Sequence, residues 1–525
     1  MHLIVYILLM KKWNIKIEYY SILFLILTIF FLSLIQQNSQ HWSAHFDSDW
    51  FNIYNILLLN SGYPQEFYDH PALSLYLISS TILKFYDFFN HNLNFQIDAI
   101  NDVKNLDLYF AKIFSIARYI NAIVHCLCVF FLYLILNKFK CEKIFNIMIL
   151  YTLVFSNFFL INLFQIRPEI YSILFFLISF FFLLHYFENN KKIYFLLLSG
   201  FCAGFAYISK IQILFFLGFL ILIIPHIPFI LKKNYDDKFN TAASNEHIKF
   251  YNFLFYSYLL MSLLYILIEI FIIYEHSRYI NHPKIDLYIF IIFNVFYFIY
   301  LRFLSTNSYY SYRENFSIYV IFLIGFLISI FFLIIVNLID LFAINHNIYF
   351  KYLNPFYFLT TRAPLDLETI KLFDLREFFL SRHIYIIVFI SILPFCRKIL
   401  NRDYFFLLIT AGLLILYVAS NFFRYFQLYE IYSFTALILL FAISKDIKGF
   451  KLRLTIILLI MLSNLNFTFI KNDFTDYFNR ESVFKDCSTN NWVLLKGING
   501  LEEWTPFTPK FNKKFYQRIC KDTNS

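Results

Sequence analysis

Long runs of apolar residues, separated by short polar segments, follow one another along most of the chain. A transmembrane helix needs about 20 apolar residues, and runs of roughly this length predict about thirteen membrane spans. The fold class predicted is all-α, a polytopic helical membrane protein. The predicted spans are 19–35, 109–136, 144–165, 170–187, 193–209, 211–231, 250–274, 285–304, 316–339, 383–395, 404–420, 428–444 and 454–470.

The composition supports this class of protein. Hydrophobic residues make up 60% of the 525-residue chain and charged residues only 15%, whereas soluble domains have about 45–50% and about 25%. The 9 glycines and 11 prolines are too few for a disordered or collagen-like chain. A soluble enzyme of several domains is therefore excluded.

The net charge of +10 is distributed in clusters between the apolar runs, as the positive-inside rule describes, which argues against nucleic acid as a partner. With a cytoplasmic N-terminus, every cytoplasmic loop receives one such cluster. An odd number of spans then leaves the C-terminus extracytoplasmic. We expect a multi-pass protein of a bacterial inner (plasma) membrane, without a signal peptide. The clusters lie at 11–16, 138–143, 191–192, 232–249, 302–313, 397–402 and 445–453.

This topology predicts a transmembrane domain at 1–470 with external loops at 36–108 and 340–382, followed by an external tail at 471–525. Cys487 and Cys520 lie in this tail, where a disulfide can form; two unpaired thiols are the alternative. No Cys/His pattern has zinc spacing, and there is no Walker loop or GxGxxG segment.

Two acids, Asp47 and Asp49, follow the first span directly in the segment FDSDW. Paired carboxylates at a membrane surface suit a general base or a cation-assisted sugar-phosphate site. The alternative is a pair of solvated loop acids. The stretches 50–59 and 71–89 predict interfacial helices that roof a cavity over Asp47, the first ending near Gly62.

Five features occur in a fixed order on the predicted external side. An Asp stands fifteen residues before a Gly, a basic residue precedes a Pro, an Arg lies early in the second span, an Arg-Pro-Glu turn follows, and a GxxxG helix ends in Ser-Lys. These residues are Asp47 with Gly62, His70-Pro71, Arg118, Arg167-Pro168-Glu169, and Gly200 to Lys210.

Together these features resemble the GT-C class of membrane glycosyltransferases, in the branch of protein mannosyltransferases and bacterial aminoarabinose transferases. Enzymes of this branch transfer sugar from a polyprenyl-phosphate carrier on the external face. The resemblance covers about residues 20–230. The chain departs from it in two places, with the segment Asp-Ser-Asp where relatives commonly have Asp-Glu, and His70 where they commonly have Lys.

The resemblance implies an inverting transferase with Asp47 as the catalytic base and Asp49 as the second catalytic candidate. Its partners would be a polyprenyl-phosphate-linked sugar and a lipid, glycan or protein acceptor. A divalent cation held by the two acids is the one cofactor that the pattern allows. The residues implied to bind the lipid phosphate are His70, Arg167, Lys210, Arg362 and Arg424.

Several alternatives remain open. Arg118 and Glu169 are predicted to be structural, because an intramembrane Arg is usually paired. Lys210 could simply snorkel to the interface, and a GxxxG segment commonly indicates helix packing. For the whole chain, the competing functions are an O-antigen-type polysaccharide polymerase or ligase and a lipid-linked sugar transporter or flippase.

Overall fold

The structure, a computed structural model, describes residues 2–42, 46–65, 72–89, 95–97, 105–139, 142–188, 192–213 and 312–338, with isolated positions between 217 and 297. All regular structure in these ranges is helical, as predicted. The helices are α1 (His2–Ser39), α2 (Phe46–Asn60), α3 (Leu73–Phe89), α4 (Leu106–Lys138), α5 (Lys143–Val154), α6 (Asn157–Phe164), α7 (Pro168–Glu188), α8 (Ile193–Ser209) and α9 (Tyr312–Leu338).

Four segments of the described helices are long and apolar enough to cross a membrane: Glu18–Asn38, Leu106–Lys138, Pro168–Glu188 and Glu314–Val336. Two further helices, α5 and α8, are apolar but shorter. The chain is therefore a helical membrane protein, and five of the predicted spans coincide with described helices. The predicted spans 383–470 lie outside the described residues, as do nearly all of 250–274 and 285–304, so the count of thirteen stays a prediction.

One predicted span is divided in the structure. The apolar run 144–165 forms two helices, because α5 ends at Val154 and α6 begins at Asn157. Ser156 lies between them and donates from its hydroxyl to the carbonyl of Leu153 at 2.7 Å, while the same oxygen caps α6. A Ser side chain that bonds to local backbone competes with the helical hydrogen bonds, which an apolar count does not register.

The helices α1, α4, α7 and α8 are joined in a bundle by a continuous apolar core. Side-chain contacts bring the C-termini of α1 and α8, the N-terminus of α4 and the α6–α7 turn to one end, which we call the upper end. All candidate residues that the structure describes lie toward this end. It corresponds to the predicted external side.

The helix α2 differs from the prediction of an interfacial helix. Every residue from Asn52 to Asn60 is buried, including the polar ones. Its amides bond within the protein; for example, Asn60 donates to the carbonyl of Phe95 at 3.1 Å. The helix ends where predicted, with Gly62 at φ +76°, a left-handed conformation that closes a helix C-terminus and suits glycine.

The helix α8 packs against α9 through glycines. A Cβ built on Gly200 would overlap the carbonyl oxygen of Phe322, and one on Gly204 would overlap the hydroxyl of Ser329. The contacts advance in the same direction along both helices, so the two helices run parallel. This direction agrees with the odd number of spans predicted between them. The GxxxG segment therefore acts here in close helix packing.

The helix α3 has two unlike halves. Its first half is buried against α7 and α8, and Ser74 donates to the carbonyl of Phe205 at 3.0 Å. Its last turns expose Phe85, Phe88 and Phe89, with Phe88 70% accessible. Exposed aromatic side chains at a helix end are typical of the membrane interface, and the interfacial location of this stretch stays a prediction.

Replacing Gly204 by Leu is expected to destabilise the fold, because a side chain at this position meets the α9 backbone and Ser329. Overpacking of this kind costs about 1–3 kcal/mol or more. Thermal unfolding in detergent should show a lowered midpoint. The control is Gly218→Ala, since no atom of the described residues lies within 4 Å of a Cβ there. An unchanged midpoint in the Leu variant would contradict the described packing.

A photoreactive benzoylphenylalanine at position 88 is expected to crosslink to lipid in native membranes, because this side chain is exposed beside an apolar bundle. The same probe at Leu83, which is fully buried on the same helix, should give none. Mass spectrometry of the adducts distinguishes the two positions. Adducts at position 88 that join only parts of this chain would contradict an interfacial location.

Candidate active site

The two acids stand in the first turn of α2, and the structure assigns Asp49 a clear environment. Asp49 is fully buried, and its Oδ1 accepts from the backbone N–H of Ile166 at 2.8 Å. Its Oδ2 lies 3.4 Å from a terminal nitrogen of Arg118. Asp47 precedes it by two residues on the same helix, and its side chain lies outside the described part. Both oxygens of Asp49 are thus engaged within the protein.

The charge of Asp49 is balanced by its neighbours. Burial raises the pKa of the Asp49 carboxyl above its ordinary value, while Arg118, the N–H of Ile166 and Arg167 act in the opposite direction. Arg118 is itself buried and also donates to the carbonyl of Trp42 at 3.2 Å. Arg118 is therefore paired, as predicted for an Arg within a membrane span, while its purely structural role stays a prediction.

The end of α6 and the α6–α7 turn, residues 162–166, are held by amide side chains from three other helices. Asn121 of α4 donates to the carbonyls of residues 162, 163 and 165 at 2.8, 3.1 and 2.9 Å. Gln36 of α1 donates to the carbonyl of residue 164 at 2.5 Å, and Asn52 of α2 to that of residue 166 at 2.7 Å. We call these three side chains the amide clamp.

Sequence reasoning missed the amide clamp, although a signal was present. Asn121 interrupts a long apolar helix, and Asn52 interrupts a stretch that otherwise appears amphipathic. Polar residues within membrane spans are costly and commonly mark a functional or structural contact. Only the fold shows that these residues meet at the same turn.

Arg167 follows the clamped turn and directly precedes α7. Its side chain is half-buried, and its Nε donates to the side-chain oxygen of Gln165 at 2.7 Å. Its two terminal nitrogens make no hydrogen bond within the described residues. Pro168 is the first residue of α7, where its missing N–H removes no helical hydrogen bond. Arg167 therefore lies immediately before the N-terminus of α7. Its guanidinium is oriented and still has unused donors.

Lys210 ends α8 and pairs with Glu169 in the first turn of α7. The Lys210 Nζ lies 3.1 Å from Glu169 Oε1, and both side chains are almost completely buried. Neither carboxylate oxygen of Glu169 has a hydrogen-bond partner among the described residues. We regard the contact as an ion pair, because the distance is short and the surroundings are buried. Lys210 does not snorkel to the surface.

The ionic balance around the turn is uneven. Asp49 opposes Arg118, and Glu169 opposes Lys210. Arg167 lies near enough to Asp49 to influence its ionisation, but it has no carboxylate of its own among the described side chains. Among the described side chains around the turn, Arg167 is therefore a cation in excess.

A second contact that the sequence did not suggest closes the upper end. Trp42 donates from its indole to Asp107 at 2.6 Å, and His41 lies 3.0 Å from the same carboxylate oxygen. Asp107 stands in the first turn of α4, where an acid is favourable to the helix dipole. This contact fixes the end of α1 to the start of α4.

The remaining predicted residues lie outside the described part of the chain. They are His70, Arg362 and Arg424, together with Cys487 and Cys520. Within the described ranges, no group of three or more metal-binding side chains is placed to hold an ion. Among the described cysteines, Cys126, Cys128 and Cys202 are free thiols.

Asp49→Asn is expected to lower stability by about 3–5 kcal/mol, because it leaves the Arg118 guanidinium buried without its counter-charge. The Asn side chain keeps an acceptor for the N–H of Ile166, so the change isolates the charge. Arg118→Met alone should destabilise similarly, and the double variant should recover most of the loss. Thermal unfolding midpoints measure all three.

A matched control is Glu188→Gln, which removes a carboxylate from a partly exposed pair with Lys138. Exposed pairs contribute about 0–1 kcal/mol, so its midpoint should hardly move. Additive losses in the Asp49 and Arg118 double variant would contradict a direct pairing of the two charges.

No protein-family model, curated protein or solved structure matches this chain. The resemblance to GT-C glycosyltransferases therefore rests on the residues from Asp47 to Lys210. Of these, Asp49, Arg118, Arg167, Glu169 and Lys210 have described side chains at the upper end. Their arrangement is an acid-bearing helix joined to a cation-bearing turn.

Proposed function

We propose that this protein is an integral-membrane glycosyltransferase of GT-C type. It transfers a sugar from a polyprenyl-phosphate carrier to a lipid, glycan or protein acceptor at the extracytoplasmic face of a bacterial inner membrane. The N-terminus is cytoplasmic and the C-terminus extracytoplasmic in this proposal. The reaction inverts the configuration at the anomeric carbon.

The observation that carries the proposal is the direct contact between α2 and the α6–α7 turn. Asp49 accepts from the N–H of Ile166 at 2.8 Å, and Asn52 donates to the carbonyl of the same residue at 2.7 Å. The helix that bears Asp47 is thereby attached to the residue that precedes Arg167. Glycosyl transfer needs this combination, a base for the acceptor and a cation for the leaving phosphate.

Asp47 is the proposed base. Asp49 is fully buried with both oxygens engaged, so we assign it to the support of the site. In the proposed step, the oxygen of an acceptor hydroxyl attacks the anomeric carbon, and Asp47 accepts the proton of that hydroxyl. The bond from that carbon to the phosphate oxygen breaks, and polyprenyl phosphate leaves with the bonding electron pair. A single displacement of this kind inverts the centre.

Arg167 is the proposed primary ligand of the phosphate. An Arg guanidinium can bind two phosphate oxygens at once, and the terminal nitrogens of Arg167 make no hydrogen bond within the described residues. Lys210 takes a secondary role, because it must leave Glu169 or share its charge before it can bind an anion. The proposal assigns the rest of the phosphate site to His70, Arg362 and Arg424.

Asp47→Asn should reduce sugar transfer by at least about a hundredfold, because an amide cannot accept the acceptor proton and general bases contribute about 10²–10⁴-fold. The assay uses membranes, radiolabelled polyprenyl-phosphate sugars and crude cell-envelope acceptors. Labelled product also identifies the acceptor.

Asp87→Asn on α3 is the matched control, since it removes a carboxylate from a different helix of the same external region. It should retain most of the wild-type rate. Full transfer by Asp47→Asn with a normal carrier pool would contradict the mechanism. Movement of intact labelled carrier across the membrane, without covalent transfer, would favour a flippase.

A further inference from the structure

We infer that the amide clamp is a positioning device for Arg167. Gln36, Asn52 and Asn121 hold the turn so that the guanidinium is presented to an anion at the upper end. The inference rests on the proposed function, since it takes Arg167 to bind the carrier phosphate. It adds three residues that act through Arg167 and do not themselves touch the carrier.

Two lines of contact lead from the clamp to Arg167. Asn121 holds the carbonyl of Gln165, and the side chain of Gln165 accepts from Arg167 Nε at 2.7 Å. Asn52 holds the carbonyl of Ile166, whose N–H is held by Asp49. Hydrogen bonds therefore fix both the N–H and the carbonyl of Ile166, as well as the Nε of the Arg167 side chain.

The geometry orients Arg167 without consuming it. A guanidinium has five N–H donors in a rigid fork. Among the described residues, Gln165 accepts a hydrogen bond from the Nε–H of Arg167, and none accepts from the other four donors. The side chain remains half-buried, so the fork is held within a protein wall. A side chain that is ordered in advance loses less conformational entropy when it binds a ligand. The expected consequence of the clamp is tighter binding of phosphate.

A simpler role for the clamp is to satisfy carbonyls that would otherwise be unpaired in an apolar bundle. The two roles predict different behaviour. If the clamp only supplies hydrogen bonds to these carbonyls, a clamp variant is less stable but shows no specific loss of anion affinity. Positioning makes the affinity loss depend on the presence of Arg167.

A double-mutant cycle separates these roles. The full-length chain in lipid nanodiscs is titrated with undecaprenyl phosphate by microscale thermophoresis, as wild type, Asn121→Leu, Arg167→Gln and the double variant. Asn60→Leu is the matched control, because it also removes a buried amide-to-carbonyl bond, on the far end of α2. Where Asn121→Leu fails to fold, Asn52→Leu replaces it and removes a single bond of the clamp to residue 166.

We expect Arg167→Gln to weaken affinity about 10- to 100-fold, as for loss of a charged hydrogen-bonding group. Asn121→Leu should weaken it about 3- to 10-fold in the wild type, and by less than about twofold when Arg167 is already Gln. Asn60→Leu should lower the unfolding midpoint and leave affinity unchanged.

Equal weakening by Asn121→Leu in both backgrounds would overturn the positioning role, as would equal weakening by Asn60→Leu. Unchanged affinity in Arg167→Gln would overturn the phosphate assignment as well. If Asp47→Asn abolishes transfer while Arg167→Gln leaves affinity unchanged, the proposed enzyme activity stands and only the assignment of Arg167 to the phosphate is rejected.

Discussion

The structure of the upper end depends on the buried carboxylate of Asp49. It joins three parts of the chain, because it faces Arg118 of α4, accepts the N–H of Ile166 in the α6–α7 turn, and itself belongs to α2. An isolated charge in an apolar interior is strongly unfavourable, whereas a paired and hydrogen-bonded one is tolerated. The carboxylate, the guanidinium and the turn therefore require one another.

The amide clamp extends the same constraint to the backbone. A break between helices leaves carbonyls without helical partners, and within an apolar bundle water is not available to satisfy them. Amides from Gln36, Asn52 and Asn121 supply the missing donors. The turn can therefore lie inside the bundle and still carry a charged residue at its end. In the proposed enzyme, this permits a rigid phosphate site at the membrane surface.

The segment from Gly200 to Lys210 combines packing with electrostatics on one helix. Its glycines admit the α9 backbone, since only residues without a side chain allow such an approach. Its final residue, Lys210, pairs with Glu169. The position of the Lys210 ammonium therefore depends on the position of α8, which packs against α9. The GxxxG segment and Lys210 thus act together on α8, the first in helix packing and the second in the ion pair.

The sequence by itself determined the helical membrane class, the bounds of most described helices to within a few residues, and the grouping of Asp49, Arg118, Arg167 and Lys210 at one end. Apolar run length and charge clusters are sufficient for this, because lipid imposes them locally. Tertiary structure decided which charges are paired, that α2 is buried, and where the amides point. Those outcomes depend on contacts between residues far apart in the chain, such as Asp49 with Ile166, and hydrophobic periodicity contains no information about such pairs.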